Sequence, residues 1–420
     1  MRVLAIVLSG MSLLMSILLL VRLTFPWGFY VLAFKLAAGA LSPFWVLAGV
    51  AGAVMGWMAR APWTIPMGMV GAGMMTWYVW RCARGHTGFE DAFGAGWDDR
   101  IPPGQTEHMT QRRWTPYLRM KASPEPTVER DVVYGTVSGT ERQLLCDVWR
   151  PANGNVSGLV VIYLHGGAWY YMDKGQLGGA FFRHLAAQGH TVVDVGYRLC
   201  PEVDMKAMIG DVKRAVAWTK ADASRYGVDP DRIVLAGASS GGHLALLAGY
   251  APQHPDLTPA DMRDVDLSVC GVVSYYGPTD MEAEYRHASQ QRLVGRPPLS
   301  SDPDTPTNVG PADWRMDALL GGWPEDASDA YELASPVTHV SPGCPPTLLI
   351  QGDRDLITPV DATCELHAKL VEAGVPAVNV VFPWTDHAFD VLLPQVSPPA
   401  QSALYDVDRF LALLTNSEEL

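Results

Sequence analysis

A serine hydroxyl becomes a useful nucleophile when a turn exposes it, a base takes its proton, and fixed donors meet the charge that forms on its target. Residues 233–245 supply the turn: apolar Ile-Val-Leu-Ala, then Gly237-Ala238-Ser239-Ser240-Gly241-Gly242, then an apolar helix start. Gly237-x-Ser239-x-Gly241 has the spacing of a nucleophile elbow, where small residues two before and two after the serine let neighbouring backbone pass a strained strand-to-helix turn. Ser239 is therefore the candidate nucleophile. The following helix aims its N–H groups at developing negative charge, and the N–H of Ser240 becomes one donor. A plain Gly/Ser turn shares the five-residue pattern; an apolar strand before and an apolar helix after argue against it.

Two other stretches offer the remaining parts. The apolar run 159–164 ends in His165-Gly166-Gly167-Ala168-Trp169. Glycines at a strand's end let successive N–H groups turn towards one point, and each such donor lowers an acyl-transfer barrier by about 3–4 kcal/mol. Near the other end of the chain, a strand at 346–351 runs into Gly352-Asp353-Arg354-Asp355, and one at 378–382 into Pro383-Trp384-Thr385-Asp386-His387. His387 can take the serine's proton, and a carboxylate can fix its tautomer and orientation. By position alone either Asp353 or Asp355 could be that acid. His243 reads as a packed helix residue, and His184, His190 and His367 as surface positions.

The elements that must hold these residues follow a regular alternation. Expected strands are 131–137, 143–150, 159–164, 191–195, 232–236, 270–276, 346–351 and 378–382, and expected helices are 181–188, 206–226, 242–249, 360–373 and 401–414. Short apolar strands between amphipathic helices predict an α/β domain with a mostly parallel sheet and helices on both faces. Sites in such domains lie at the carboxyl ends of the strands.

Together with Tyr197-Arg198-Leu199-Cys200-Pro201-Glu202, the helix at 211–218, Ser335-Pro336-Val337-Thr338-His339-Val340 and Asp386-His387-Ala388-Phe389, these motifs resemble the hormone-sensitive-lipase-like carboxylesterases of the α/β-hydrolase superfamily, of the membrane-anchored type. The resemblance covers residues 131–414 through six separated motifs in order. It implies an α/β-hydrolase fold and cleavage of carboxylic esters without cofactor or metal. Motif by motif, it implies Ser239 as nucleophile, Asp355 as acid, His387 as base and Gly167, Ala168 and Ser240 as oxyanion donors. His165, Gly166, Gly237 and Gly241 would shape the two turns. Ala168 stands where much of the family has a third glycine, which keeps the N–H and narrows the space beside it. Ala238 and Ser240 stand where the family often has an acidic residue and Ala. The family's amino-terminal helical cap has no clear counterpart, so the Pro-rich insert at about 279–340 is the expected lid.

The rest of the chain has a different character. Residues 1–80 hold no Asp or Glu and four basic residues, Arg2, Arg22, Lys35 and Arg60, leaving 27 basic against 44 acidic residues beyond them. A body this acidic disfavours anionic polymers, and no basic run or zinc-like Cys/His spacing points to nucleic acid. Apolar runs at 3–21, 36–59 and 61–80 approach the length that crosses ~30 Å of hydrocarbon, which predicts three spans and a lipid bilayer as partner. Trp27, Tyr30, Trp63, Trp77, Tyr78 and Trp80 lie near the run ends, as interfacial aromatics do. Ala48, Gly52 and Gly56 have small-xxx-small spacing, a pattern also frequent by chance. The first run lacks an A-x-A site and reads as an anchor. Three spans would set Arg22, Lys35, Arg81 and Arg84 on the body's side of the membrane, which tips the body towards the cytoplasm by a single charge. Six scattered cysteines suit reduced thiols, although an even count also permits disulfides.

The expected organisation is a transmembrane region at 1–84, an aromatic-rich linker or cap at 85–127 and a catalytic domain at 128–420. All strands and catalytic motifs lie beyond 128, which predicts that a chain starting there keeps the triad. A serine peptidase or thioesterase on the same fold is the alternative enzyme; propeller-like repeats and an acidic pair for a substrate amino terminus are not evident. A non-catalytic receptor or scaffold would tolerate loss of the histidine, and all three triad positions are filled.

Overall fold

The computed structural model describes residues 1–24, 27–116, 125–152, 156–290 and 316–415. Residues 291–315 of the expected lid, Tyr117 of the linker and the side chain of Trp27 lie outside that description.

The apolar head forms four helices: α1 Arg2–Leu20, α2 Trp27–Ala40, α3 Ser42–Met58 and α4 Thr64–Ala83, and a short α5, Gly88–Phe93, opens the linker. Three spans were expected. The second run breaks because Pro43 has no N–H to continue a helix and fits the first turn of a new one, so the segments Tyr30–Ala40 and Ser42–Met58 meet at 75°. Among the described residues only α1 is long and apolar enough to cross a membrane alone, and the bent pair qualifies only together, as a broken span or a re-entrant loop. In α4, 20 residues long, glycines, Trp77, Tyr78 and Trp80 dilute the apolar character. Helices α1, α3 and α4 pack together through small residues. A Cβ on Gly52 would stand 2.5 Å from Ser9 Oγ. Gly52 and Gly56 of the spacing read in sequence are buried, while Ala48 is only half-buried and Gly49 is buried in its place.

Eight strands follow: β1 Thr127–Thr136, β2 Gln143–Arg150, β3 Val160–Leu164, β4 Thr191–Val195, β5 Ile233–Ala238, β6 Gly271–Tyr275, β7 Thr347–Gly352 and β8 Ala377–Phe382. They form one sheet in the order β1-β2-β4-β3-β5-β6-β7-β8. The pairs β1/β2 and β2/β4 are antiparallel and the other pairs parallel. From β3 the chain steps to β4 on one side and then returns to β5 on the other. That switch point opens a crevice between the carboxyl ends of β3 and β5.

Helices α6 Gly179–Ala187, α7 Met205–Ala221, α8 Ala223–Tyr226, α9 Ser240–Tyr250, α10 Met281–Gln290, α11 Met316–Leu320, α12 Ser328–Leu333, α13 Val360–Glu372 and α14 Pro398–Leu414 complete the body. Alternate strand residues feed two cores. Val160 and Ile162 pack with Met208 and Val212 of α7, Leu244 of α9 and Leu366 of α13. Val161 and Val234 pack on the opposite face with Phe182 of α6 and Phe410 of α14. This is the α/β-hydrolase architecture that the resemblance implied.

Head and linker both rest on this body. Phe89 of α5 is buried against Trp97, ring centroids 4.7 Å apart, and α5 lies on β8. Arg113 pairs with Asp406 of α14, and Trp114 Nε1 donates to the Val396 carbonyl at 3.2 Å. Helices α2 and α4 also contact α14.

Candidate active site

Ser239 ends β5 and caps α9 with φ 54° and ψ −124°, a conformation that costs a non-glycine residue on the order of 1–3 kcal/mol. The surroundings enforce it. Ser239 N donates to the Tyr275 carbonyl at 2.9 Å, and a Cβ on Gly241 would overlap the Leu164 carbonyl. The elbow therefore needs glycine where the β3 backbone crosses it.

The structure brings three of the expected residues into line. His387 Nε2 is 3.0 Å from Ser239 Oγ, and His387 Nδ1 is 2.9 Å from Asp355 Oδ2 and 3.1 Å from Oδ1. Asp355 Oδ1 accepts from the N–H groups of Ile357 and Thr358, each at 2.8 Å, and Oδ2 accepts from Gln351 Nε2 at 3.1 Å. Four donors including the imidazole thus fix this carboxylate's orientation. Asp353 makes no contact with His387. Burial pushes its carboxyl up, against the pull of Arg354, Lys35 and Arg22.

Past β3, Gly167 (φ 127°), Ala168 (φ 51°) and Trp169 (φ 66°) turn the chain sharply. Gly166 comes so close to the elbow that its Cβ would be 3.0 Å from the Ala238 carbonyl. Among the described residues, the amides of Gly167 and Ala168 donate to no other protein group. Ser240 opens α9 beside them. His165 is buried, and desolvation pushes its pKa down. Its ring stacks on Tyr197 at 4.3 Å, and Tyr197 Oη donates to the His165 carbonyl at 2.8 Å. This pair anchors the turn.

An apolar cavity of about 380 Å³ opens beside Ser239 and His387. Its walls include Tyr163, Leu177, Phe181, Val391 and Leu404. Sequence reading missed these walls, which come from β3, the loop before α6, α6 itself and residues 388–404. The described residues of the insert do not line the cavity, so the expected lid is not seen there. Instead α10 props the acid loop, with His287 Nε2 donating to the Leu356 carbonyl at 3.0 Å. The linker's described aromatics do not line it either, and act as a dock rather than a cap.

Other histidines depart from expectation. His184 lines the cavity, is buried, and lies 2.7 Å from Asp408 Oδ1, which holds its pKa up against desolvation. His190 is buried on Ser157 Oγ at 2.8 Å, and desolvation pushes it down to about 4. Polar partners far along the chain make both burials tolerable. His243 is the packed residue expected, accepting from Trp169 Nε1 and donating to the Ala334 carbonyl. None of the six cysteines is in a disulfide. Among the described residues no cluster of three or more His, Cys, Asp or Glu side chains could hold a metal.

One site residue had no assigned role. Asp386 Oδ1 accepts from the N–H groups of Leu356 and His387, at 2.8 and 2.9 Å, and its Oδ2 accepts from Lys35 Nζ at 2.9 Å.

A family model described as BD-FAE matches residues 146–370. Among curated proteins the chain is similar to the probable carboxylic ester hydrolase LipM of Mycobacterium tuberculosis, 32% identical over 67% of this chain and 60% of LipM. It is also similar to esterase LipC of the same organism, 30% identical over 63% of this chain and 60% of LipC. The chain thus spans 60% of the length of these two relatives. Among solved structures, a truncated carbohydrate esterase from gut microbiota superposes with a TM-score of 0.54 at 22% identity, over 72% of this chain and 100% of that one. A thermophilic esterase from Thermogutta terrifontis gives a TM-score of 0.52 at 22% identity, over 69% and 94%. At these identities the structural likeness establishes the fold.

Proposed function

The chain belongs to the BD-FAE family, among the α/β-hydrolase esterases, and from that premise we propose that it is a membrane-anchored serine hydrolase cleaving carboxylic esters of short or medium acyl groups with a lipophilic alcohol. The observation that carries this reading is the unbroken line Ser239–His387–Asp355, with no step longer than 3.1 Å, at the mouth of an apolar cavity. Ser239 Oγ attacks the ester carbonyl as His387 Nε2 takes its proton, while Asp355 accepts from Nδ1–H and stabilises the imidazolium. The oxyanion is received by the amides of Gly167, Ala168 and Ser240. His387 then gives the proton to the departing alkoxide, leaving an acyl-serine. Water, deprotonated by the same imidazole, releases the acid.

The cavity's size lies in the range of small-molecule sites, and its Leu, Val, Phe and Tyr walls suit a lipophilic group. Helix α1 supplies the anchor, and the Arg22, Lys35, Arg81 and Arg84 set favours a cytoplasmic body. The test is hydrolysis by the full-length chain in phosphatidylcholine vesicles. The panel contains p-nitrophenyl esters of graded acyl length, an acyl thioester and a peptide anilide. Preferential cleavage of short and medium esters, lost in Ser239→Ala, supports the proposal. Absence of ester cleavage, or faster cleavage of thioester or anilide, refutes it.

A further inference from the structure

Lys35 is a lysine inside an apolar helix, and it is only 1% exposed. A cation in such a place is costly unless paired, and its partner is the first clue to its role. Its Nζ donates to the Val21 carbonyl at 2.8 Å and to Asp386 Oδ2 at 2.9 Å, and the two side chains of the ion pair are 1% and 0% exposed.

What Asp386 does with its other oxygen makes this pair more than a structural tie. Oδ1 accepts from the N–H of Leu356, the residue after Asp355, and from the N–H of His387 itself. One carboxylate therefore staples the acid loop to the histidine loop. Its countercharge comes from 351 positions earlier in the chain. The same turn takes two more contacts from the head: Tyr78 Oη lies 3.2 Å from Thr385 Oγ1, and the rings of Trp77 and Trp384 are 4.2 Å apart.

The charges around Asp386 compete. Burial pushes its carboxyl up, Lys35 pulls it down, and Asp355 pushes it up again. Asp353 and Arg354 beyond β7, Arg22 from the α1–α2 connection, Tyr78 and Cys82 of α4, and His387 are the other ionisable groups at this turn. Among the described residues of the head, Lys35 alone donates to the Asp386 carboxylate.

We propose that Lys35 is a positioning residue of the triad: its ammonium holds the Asp386 carboxylate, and that carboxylate holds the Leu356 and His387 amides so that Asp355, His387 and Ser239 stay aligned. The apolar head is then a working part of the active site as well as an anchor. This inference rests on the reading of Ser239, His387 and Asp355 as an esterase triad. A chain starting near residue 128 would retain every triad residue, as expected from the sequence, and on this proposal would lose the cation that orders two of them.

Removing the ammonium leaves a buried carboxylate that takes up a proton more readily. Protonated, it is a weaker acceptor for two amides, and the staple loosens. The effect belongs on kcat, because the cavity walls are untouched, and it deepens as pH falls.

The test compares full-length wild type, Lys35→Met, Lys35→Arg and the double variant Lys35→Met/Asp386→Asn on a water-soluble ester across pH. In the double variant the side-chain amide oxygen can still accept both N–H groups and needs no countercharge. Lys35→Met should lose on the order of 10²-fold in kcat, the scale of a ~1 Å misplacement, with KM within about 3-fold. Its acid limb should move to higher pH. Lys35→Arg should keep most of kcat, and the double variant should recover at least about ten-fold over Lys35→Met, with the acid limb back at the wild-type position. If Lys35→Met does not fold, a folded and active double variant still supports the proposal, and a folded but inactive one overturns it. An active wild type with Lys35→Met unchanged in kcat and pH profile also overturns it, leaving the esterase reading intact. A wild type that cleaves no ester fails the esterase reading, and this inference falls with it.

Discussion

Nε2 of His387 lies 3.0 Å from Oγ of Ser239, although 148 positions separate the two in sequence. Each hangs from the carboxyl end of a different strand, β5 and β8, with β6 and β7 between them. A base this close to an elbow serine acts as a unit with it, so Ser239→Ala should lower ester hydrolysis by about 10⁴-fold or more. The thermal unfolding midpoint should stay close to wild type, because only one hydroxyl is removed. Retained activity in Ser239→Ala, with loss in Ser240→Ala, would shift the elbow register by one residue.

The acid loop offers a sharper contrast. Asp355 meets the imidazole and three further donors, while Asp353, two residues earlier, makes no such contact. Asp355→Asn should cost about 10⁴-fold in kcat through the wrong histidine tautomer. Asp353→Asn should cost less than about ten-fold. Steady-state kinetics on one soluble ester decide this, and a reversed order would move the acid to Asp353.

Stability should carry the signature of Asp194 on β4. Burial, with Asp147 and Asp173 nearby, pushes this carboxyl up to about 7, while the Gly175 N–H, donating at 2.6 Å, and Lys174 oppose the rise. The folded form binds the proton more tightly than the unfolded form, whose carboxyl titrates near ~3.9. Stability from this group is therefore greatest at low pH and falls as pH rises from about 4 to about 7. Asp194→Asn removes the ionisation, so thermal melts should show the variant gaining on wild type at pH 8 and not at pH 4. A constant difference across that range would contradict the assignment. Because Gly175 belongs to the loop before the cavity-lining Leu177, the same ionisation bears on the cavity wall.

Chain-length preference should follow the cavity. Leu404 of α14 lines it and is only half-buried, so a larger ring there fills space without recutting a tight core. Leu404→Trp should lower kcat/KM for the longest acceptable acyl esters by about ten-fold, while acetyl esters change by less than about three-fold. An equal loss on both would place the acyl group elsewhere.

Much of this architecture was readable because parallel strands buried on both faces are near-continuous apolar runs, as in Val160–Leu164 and Ile233–Ala238, and the chemistry follows directly at their ends. The elbow, the His165–Trp169 turn and the two late loops are local in sequence, so their residues announce one another. What stayed hidden depends on distant partners. Lys35 reads as one more topology charge until Asp386 is placed against it, and His184 and His190 read as surface groups until Asp408 and Ser157 appear. The bend before Pro43 was visible in principle, since proline marks a helix start, but a hydropathy run passes over it. The cavity walls are drawn from β3, α6, α14 and two loops, and no single periodic run in the sequence marks which of their residues meet.

The central claim is that Ser239 is the nucleophile of a serine esterase. Full-length protein in vesicles, treated with a fluorophosphonate, digested and read by mass spectrometry, tests it at the atom concerned. The account predicts one covalent adduct per chain, on the peptide containing Ser239 and localised to that residue, with ester hydrolysis lost in step with labelling. An adduct on Ser240 or any other residue, or none on folded protein that still hydrolyses esters, would contradict it.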